Sequence, residues 1–155
     1  MSIEQNKRMT ARVFEEAFNR GELAVIDEAI AADAVDHQDP NEPSFRQHLK
    51  NVVCAMRTAF PDLHFEITQM IGEGDWVALH SVMTGTNTGE LLQPLLPSSG
   101  RVAVPPTGRP IRVAHMHLLR FADGRNAELW HLMDTFALLG QLGLMPDAAP
   151  VQSGR

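Results

Sequence analysis

The chain is predicted to be an α+β domain, with helices first, then a curved antiparallel sheet, then one closing helix. Three observations carry that prediction. Apolar residues recur at helical spacing as far as Phe60, alternate from Leu63 onward, and return to helical spacing after Asp134. Asp123-Gly124 lies between two alternating segments and is the strongest short hairpin signal in the chain. At 155 residues the length suits one folded unit, read as residues 1–144 with a loose tail over 145–155.

The elements follow in order. "SIEQ" at Ser2 to Gln5 is a capping box, in which serine and glutamine satisfy each other's free backbone donors at a helix start. Ile3, Met9, Val13, Phe14, Ala17 and Phe18 form the apolar stripe of that helix, and Gly21 is its left-handed stop. "ELAVIDEAIA" makes a second, shorter helix, and "AVDHQDPNEP" a short strand or extended turn. A second capping box, "SFRQ" at Ser44 to Gln47, opens a third helix with the stripe Phe45, Leu49, Val52, Val53, Met56 and Phe60, ended by Pro61.

Then the period becomes two. "LHFEITQMI" places Leu63, Phe65, Ile67 and Ile71 on one face, and "GEGD" is turn chemistry. "WVALHSVMTGTN" is apolar on both faces, as an interior strand is. Val77, Leu79 and Met83 are expected on the exposed convex side, where a patch of that size marks an interface; a homodimer or homotetramer is therefore expected. "HMHLLRF" and "NAELWHLM" flank the hairpin turn, and "TFALLGQLG" is the closing helix. The segment 91–106 and its continuation carry Pro94, Pro97, Pro105, Pro106 and Pro110, which excludes a central strand. Leu91, Leu92, Leu95 and Leu96 are too apolar for a solvated loop, so this insertion should pack as a lid on a pocket mouth or as an arm on a neighbouring subunit.

Composition excludes several functions. With 13 Lys and Arg against 19 acids and a net charge of −6, no basic face is available for nucleic acid. No run approaches the roughly 18 apolar residues of a membrane span. The N-terminus is charged and amphipathic rather than leader-like, and the single cysteine, Cys54, suits a reducing compartment, so a cytoplasmic location is expected. No glycine-rich phosphate loop and no Gly-x-Ser-x-Gly elbow exists, and Cys54 has no assignable partner. The His-x-His pair at 115–117 lacks the further ligands of a metal site on an all-β barrel; no metal and no cofactor are expected.

The chemistry concentrates in "HMHLLRFADGRNAELWHLMD", which holds three of the seven histidines, one of the two tryptophans and an aspartate. A two-residue turn at Asp123-Gly124 pairs His117 with Trp130 and His115 with Leu132, which sets His115, His117, Trp130 and Asp134 on one face. A three-residue loop with a bulge would instead bring His131 to the two histidines. The even register is the expected one. Two imidazoles, an indole and a carboxylate on an apolar face suit a pocket for a flat, largely apolar molecule. Asp134 also precedes a helix and is a good N-cap. His37, in "VDHQD", is placed to reach the same cavity from the sheet edge.

"GDWVALHSVMTGTNTGE", "PPTGRPI" and "HMHLLRFADGRNAELWHLMDTFALLGQLG" together resemble the SnoaL-like polyketide cyclases, also called ester cyclases, of the nuclear-transport-factor-2-like superfamily. The likeness spans about Met1 to Gly143 in layout and is dense in motifs from Gly74. It implies a cone of helices and curved sheet around one deep pocket. It also implies a cofactor-independent, aldol-type ring closure on a polyketide-derived or polycyclic carbonyl compound, with the aspartate matching Asp134 as general acid and base. Asn87 stands where the family usually has histidine and His80 where it often has arginine, so both are candidate substrate contacts. Ketosteroid isomerase relatives of this fold hold an enolate with tyrosine and a protonated aspartate; this chain has no tyrosine, which leaves His117 or His115 as the donor, with the Trp130 indole N–H a weaker candidate. The expected site is therefore Asp134 and His117 as catalysts, with His115, Trp130, His37, His80 and Asn87 around a hydrophobic or aromatic substrate. The alternatives are hydroxylase, epoxide hydrolase or isomerase chemistry on the same fold, or a pocket protein that binds a hydrophobic ligand without turning it over.

Overall fold

The computed structural model describes residues 2–92 and 103–145. The Ser2 hydroxyl accepts from the Gln5 N–H at 3.3 Å and the Ser2 N–H donates to the Gln5 side chain at 2.8 Å, closing the capping box that starts α1 (Ile3–Arg12). The helix continues as a π-helical turn, Val13–Asn19, which brings Phe14, Ala17 and Phe18 onto the core. Asn19 pins its end to the sheet, accepting from the Phe65 N–H at 2.7 Å and donating to the Phe65 carbonyl at 3.0 Å. Gly21 stops it at φ +77°, beneath the Arg57 side chain, as the sequence indicates.

α2 (Ala24–Ala29) runs directly into β1 (Ile30–Asp36), and α3 (Phe45–Ala59) begins at the Ser44 cap. β2 (His64–Glu73), β3 (Trp76–Thr86), β6 (Pro110–Ala122) and β7 (Arg125–Met133) form an antiparallel meander, with the short pair β4 (Leu91–Leu92) and β5 (Ala103–Val104) beside it. α4 (Thr135–Leu142) closes the chain at Gly143, φ +72°. The sheet order is β1-β7-β6-β3-β2, and β1 joins β7 in parallel. The curved sheet is thus mixed rather than wholly antiparallel, because α2 delivers β1 to the far edge running the same way as β7.

Bulges bend the sheet around the helices. Thr68 is the extra residue of β2, between Ile67, which pairs with Ser81, and Gln69, which pairs with His80. The β6–β7 hairpin turns at Asp123 (φ +48°) and Gly124 (φ +74°), the two left-handed residues of the expected two-residue turn. Phe14, Phe18 and Phe65 pack ring to ring between helices and sheet, with centroids 4.9 to 5.5 Å apart. Val77, Leu79 and Met83 point into this core instead of outward, being 0 to 2% exposed. The face that shows to solvent is the other one, with Trp76, Met116, Leu118 and Leu132. Leu91 is buried in the same core, while residues 93–102 of the insertion and 146–155 of the tail lie outside the described residues. Among the described residues no helix is long and apolar enough to cross a membrane.

Candidate active site

One residue decides which side chains enter the cone. Next to the turn, Phe121 pairs with Asn126, but Arg120 pairs with Glu128, so Ala127 is an unpaired extra residue in β7. Beyond it every pairing is shifted by one: His117 faces His131 and His115 faces Met133. The expected register, with Trp130 opposite His117, holds only for the last pairs before the turn. A one-residue bulge sends each following side chain to the other face. His131 therefore joins His115 and His117 inside, and Trp130 goes outside.

The three imidazoles form a ladder on the concave face. His115 and His117 stack at 5.8 Å and His117 and His131 at 5.9 Å between centroids. Phe65 meets His115 edge-on at 5.2 Å and Phe14 meets His117 edge-on at 5.3 Å, which fixes both rings in apolar surroundings. His115 Nε2, His117 Nδ1 and the Ser81 hydroxyl are buried without a hydrogen-bond partner in the protein. Burial, and then the charge of His131, push His115 down to about 4. Burial and the two neighbouring histidines hold His117 well below the usual histidine range. Both are neutral at pH 7 and each can donate from one ring nitrogen.

His131 has a carboxylate partner. Its Nε2 lies 3.1 Å from Asp36 Oδ2, and Asp36 is only 5% exposed. Gln38 organises the pair: its backbone N–H donates to Asp36 Oδ1 at 3.0 Å and its side-chain carbonyl accepts from the His131 backbone N–H at 2.7 Å. Burial alone would raise the Asp36 carboxyl, but the His131 hydrogen bond and charge, with the Gln38 N–H, bring it below the usual carboxylate value. At the rim His48 Nε2 pairs with Asp39 Oδ2 at 3.1 Å. Asp36, Asp39 and His131 offer ligand atoms within 4.8 Å of one another, the donor set among the described residues closest to a metal site. The two His–Asp pairs already satisfy these atoms internally.

These groups line a cavity of about 310 Å³ whose other walls include Phe18, Leu49, Val52, Met56, Phe65 and Leu129. That volume is at the small end of the roughly 300–1,000 Å³ of ligand pockets. A cavity with apolar side chains on one side, neutral imidazole donors on another and a carboxylate-backed imidazole beside them can remove, hold and return a proton.

Of the residues expected from sequence, His115 and His117 are in this cavity and the others are not. Asp134 is exposed, N-caps α4 by accepting from the Ala137 N–H at 3.0 Å, and its backbone bonds to Ala114, on the opposite face from His115. Trp130 lies on the outer face, stacked on His37 at 4.0 Å between centroids and 6° between planes. His37, the first residue after β1, points outward, with Nε2 2.9 Å from Glu128 Oε2; its backbone N–H still bonds to the Leu129 carbonyl, so it sits on the face opposite the inward Asp36. His80 is on the outer face with Thr68 at the β2 bulge. Asn87 is buried at the other end of the sheet, where it donates to the Ala59 and Gly89 carbonyls and accepts from Thr107; it is a structural clamp. Asp36, His48 and His131 also line the cavity, and the sequence reading does not place them there. The signal for His131 is the bulge alternative of the hairpin, and that for Asp36 is its place next to His37 at the end of β1.

The sequence profile of the SnoaL-like polyketide cyclases matches residues 8–142. The chain belongs to the SnoaL-like polyketide cyclase family, on the nuclear-transport-factor-2-like fold. Similar solved structures include AclR from Streptomyces galilaeus, for which a hydroxylase role has been suggested. It is 30% identical, covers 97% of this chain and 92% of its own, and has a TM-score of 0.76. IdmH from Streptomyces antibioticus, suggested to be a polyketide cyclase, is 32% identical over 90% of this chain and 99% of its own, with a TM-score of 0.71. TsrD from Streptomyces laurentii shares the fold at 18% identity, covering 94% of this chain and 99% of its own, with a TM-score of 0.79. Comparison of the sequence with curated proteins found no match.

Proposed function

We propose that this protein is a cofactor-independent cyclase that closes a ring on a polyketide-derived carbonyl compound by an aldol step, with His131 as the acid–base residue. The observation that carries the reading is the His131–Asp36 pair at 3.1 Å, beside two neutral imidazoles that each bury an unpartnered nitrogen, in a cavity whose remaining walls are largely apolar. With Nε2–H donated to Asp36, the His131 lone pair is on Nδ1. That nitrogen takes a proton from a carbon activated by an adjacent carbonyl, and the ionised Asp36 stabilises the imidazolium formed. His117 and His115 donate ring N–H bonds to the enolate oxygen, the role for which tyrosine is absent. The enolate carbon attacks a second carbonyl of the same molecule, and the new alkoxide takes the proton back from His131. Proton count and charge close over the cycle.

Membership of the family and the 32% identity to IdmH support cyclisation. The 30% identity to AclR favours hydroxylation as the second reading, in which the same pair would deprotonate an oxygenated aromatic ring, dioxygen from solution would supply the inserted oxygen atom, and a two-electron reductant from solution would take the other oxygen to water. Turnover assays of His131→Gln on an aromatic polyketide ester test the first: a variant with unimpaired ring closure would remove His131 from the chemistry. The protein is also proposed to pair with a second copy through its outer sheet face. Met116 and Leu118 of the inner strand β6 and Leu132 of β7 are 40 to 70% exposed there, placed for a symmetric sheet-on-sheet contact.

A further inference from the structure

The cone has a second chamber that the proposed chemistry leaves unused. Phe18, Leu49, His117 and Leu129 line both spaces and form a waist between them. Beyond the waist about 60 Å³ opens between the first helix and the β6–β7 hairpin, walled by Val13, Phe14, Ala29 and Leu119 among others. Apart from His117 at the waist it has two polar side chains, and the donors of both are committed to backbone. The Thr10 hydroxyl donates to the Asn6 carbonyl at 2.9 Å, and the Asn126 amide donates to the carbonyls of Arg120 and Glu128 at 3.2 and 2.8 Å. A carbonyl entering this chamber would find no free side-chain donor beyond His117 at the waist, and a water there would lack the two to four partners it needs.

A second observation concerns the wall itself. Val13, Phe14 and Phe18, which face the chamber, come from the π-helical turn Val13–Asn19. Such turns are uncommon and recur at functional sites, where the widened backbone re-aims side chains. At the waist His117 presents a buried, unpartnered Nδ1, its ring held edge-on by Phe14. Polarity therefore ends at His117, and apolar space begins.

We infer that the small chamber is a specificity subsite for a short, unfunctionalised alkyl branch of the ligand, attached close to the oxygen that His117 binds. The inference rests on the large chamber being the site of the ligand's oxygenated body. Size sets the branch: an apolar cavity of about 150 Å³ holds benzene, so this one admits roughly two or three carbons and no ring.

The test uses the full chain with two kinds of probe. Xenon, followed by its NMR shift, reports the chamber directly. 1,4-Naphthoquinone and its 2-propyl homologue, titrated calorimetrically, report the subsite. Each buried methylene is worth about fourfold in affinity, so the homologue is expected to bind at least about tenfold tighter. Ala29→Leu fills the chamber from α2, and Val13→Phe fills it from a half-buried position that tolerates bulk more readily. In both variants the xenon shift and the propyl preference should vanish while affinity for the parent quinone holds. Equal affinity for the two quinones in the natural protein, including no binding by either, overturns the subsite. So does a xenon shift that both filled variants retain. His131→Gln should keep the propyl preference, so failure of the catalytic reading shows separately as unimpaired turnover in that variant.

Discussion

His131 Nε2 lies 3.1 Å from Asp36 Oδ2, a hydrogen bond between residues 95 positions apart on two parallel neighbouring strands. The contact commits one imidazole nitrogen to a buried carboxylate and leaves the other for the proton transfer proposed above.

Removing either partner should stop turnover without unfolding the protein. His131→Gln and Asp36→Asn are each expected to lower kcat by roughly 10²–10⁴-fold on an aromatic polyketide ester, the usual contribution of a positioned acid–base group. Asp134→Asn is expected to keep most of the activity and nearly all of the stability, because an asparagine oxygen caps α4 as the Asp134 carboxylate does. Rate assays paired with urea unfolding of the three variants decide the matter; an inactive, well-folded Asp134→Asn would return the chemistry to that residue.

Acid should unfold the protein through its buried histidines. His115 falls from an ordinary 6.5 to about 4 in the fold, so between those values the unfolded chain binds more protons than the folded one. Stability is then full above about pH 6.5 and declines as pH falls toward 4, by about 3 kcal/mol from this group. His117 is shifted in the same direction and adds to the loss, and the lowered Asp36 continues it below the ordinary carboxylate value of 3.8. Urea midpoints at pH 7.5 and 5 should therefore differ, and His115→Phe should narrow the gap.

Asn87→Ala should destabilise the fold by roughly 2–4 kcal/mol, since it strips partners from the buried Ala59 carbonyl at one end of the carboxamide and from half-buried groups of Thr107 at the other. The Thr107 N–H and hydroxyl, both 2.9 Å from Asn87 Oδ1, would be left unpaired. Calorimetry should show a lower Tm while specific activity per folded molecule is retained. A loss of activity at unchanged Tm would instead make Asn87 a substrate contact.

Leu132→Lys should break the proposed pairing of two copies. Leu132 is 70% exposed beside Met116 at 52%, on a face with no role in the cavity. Sedimentation should give a dimer or larger for the natural protein and a monomer for the variant; monomers for both at micromolar concentration would discard the interface.

The local signals were legible, and the long-range ones were not. Ser2 with Gln5, Gly21, and Asp123 with Gly124 each act within a few residues, and each does in the structure what its chemistry dictates. His115 and His117 could be assigned to the cavity because both lie on one strand, where alternation is certain. Trp130, His131 and Asp134 could not, because their faces depend on a bulge at Ala127, and alanine carries no bulge signature. Asp36 escaped because its role exists only once β1 is laid parallel to β7, a pairing set by how α2 packs and not by any spacing.

The extra residue at Ala127 also makes this hairpin a place where catalyst and architecture can be exchanged without changing a side chain. β7 carries two interleaved sets, His131 and Met133 inward, Trp130 and Leu132 outward. Loss of the one codon for Ala127 would invert them, giving an indole-walled pocket with its histidine in solvent. On a fold of this kind a new activity is then reachable by a reading-frame-preserving deletion, a route by which closely similar sequences could diverge in chemistry while every candidate active-site residue remains in the chain.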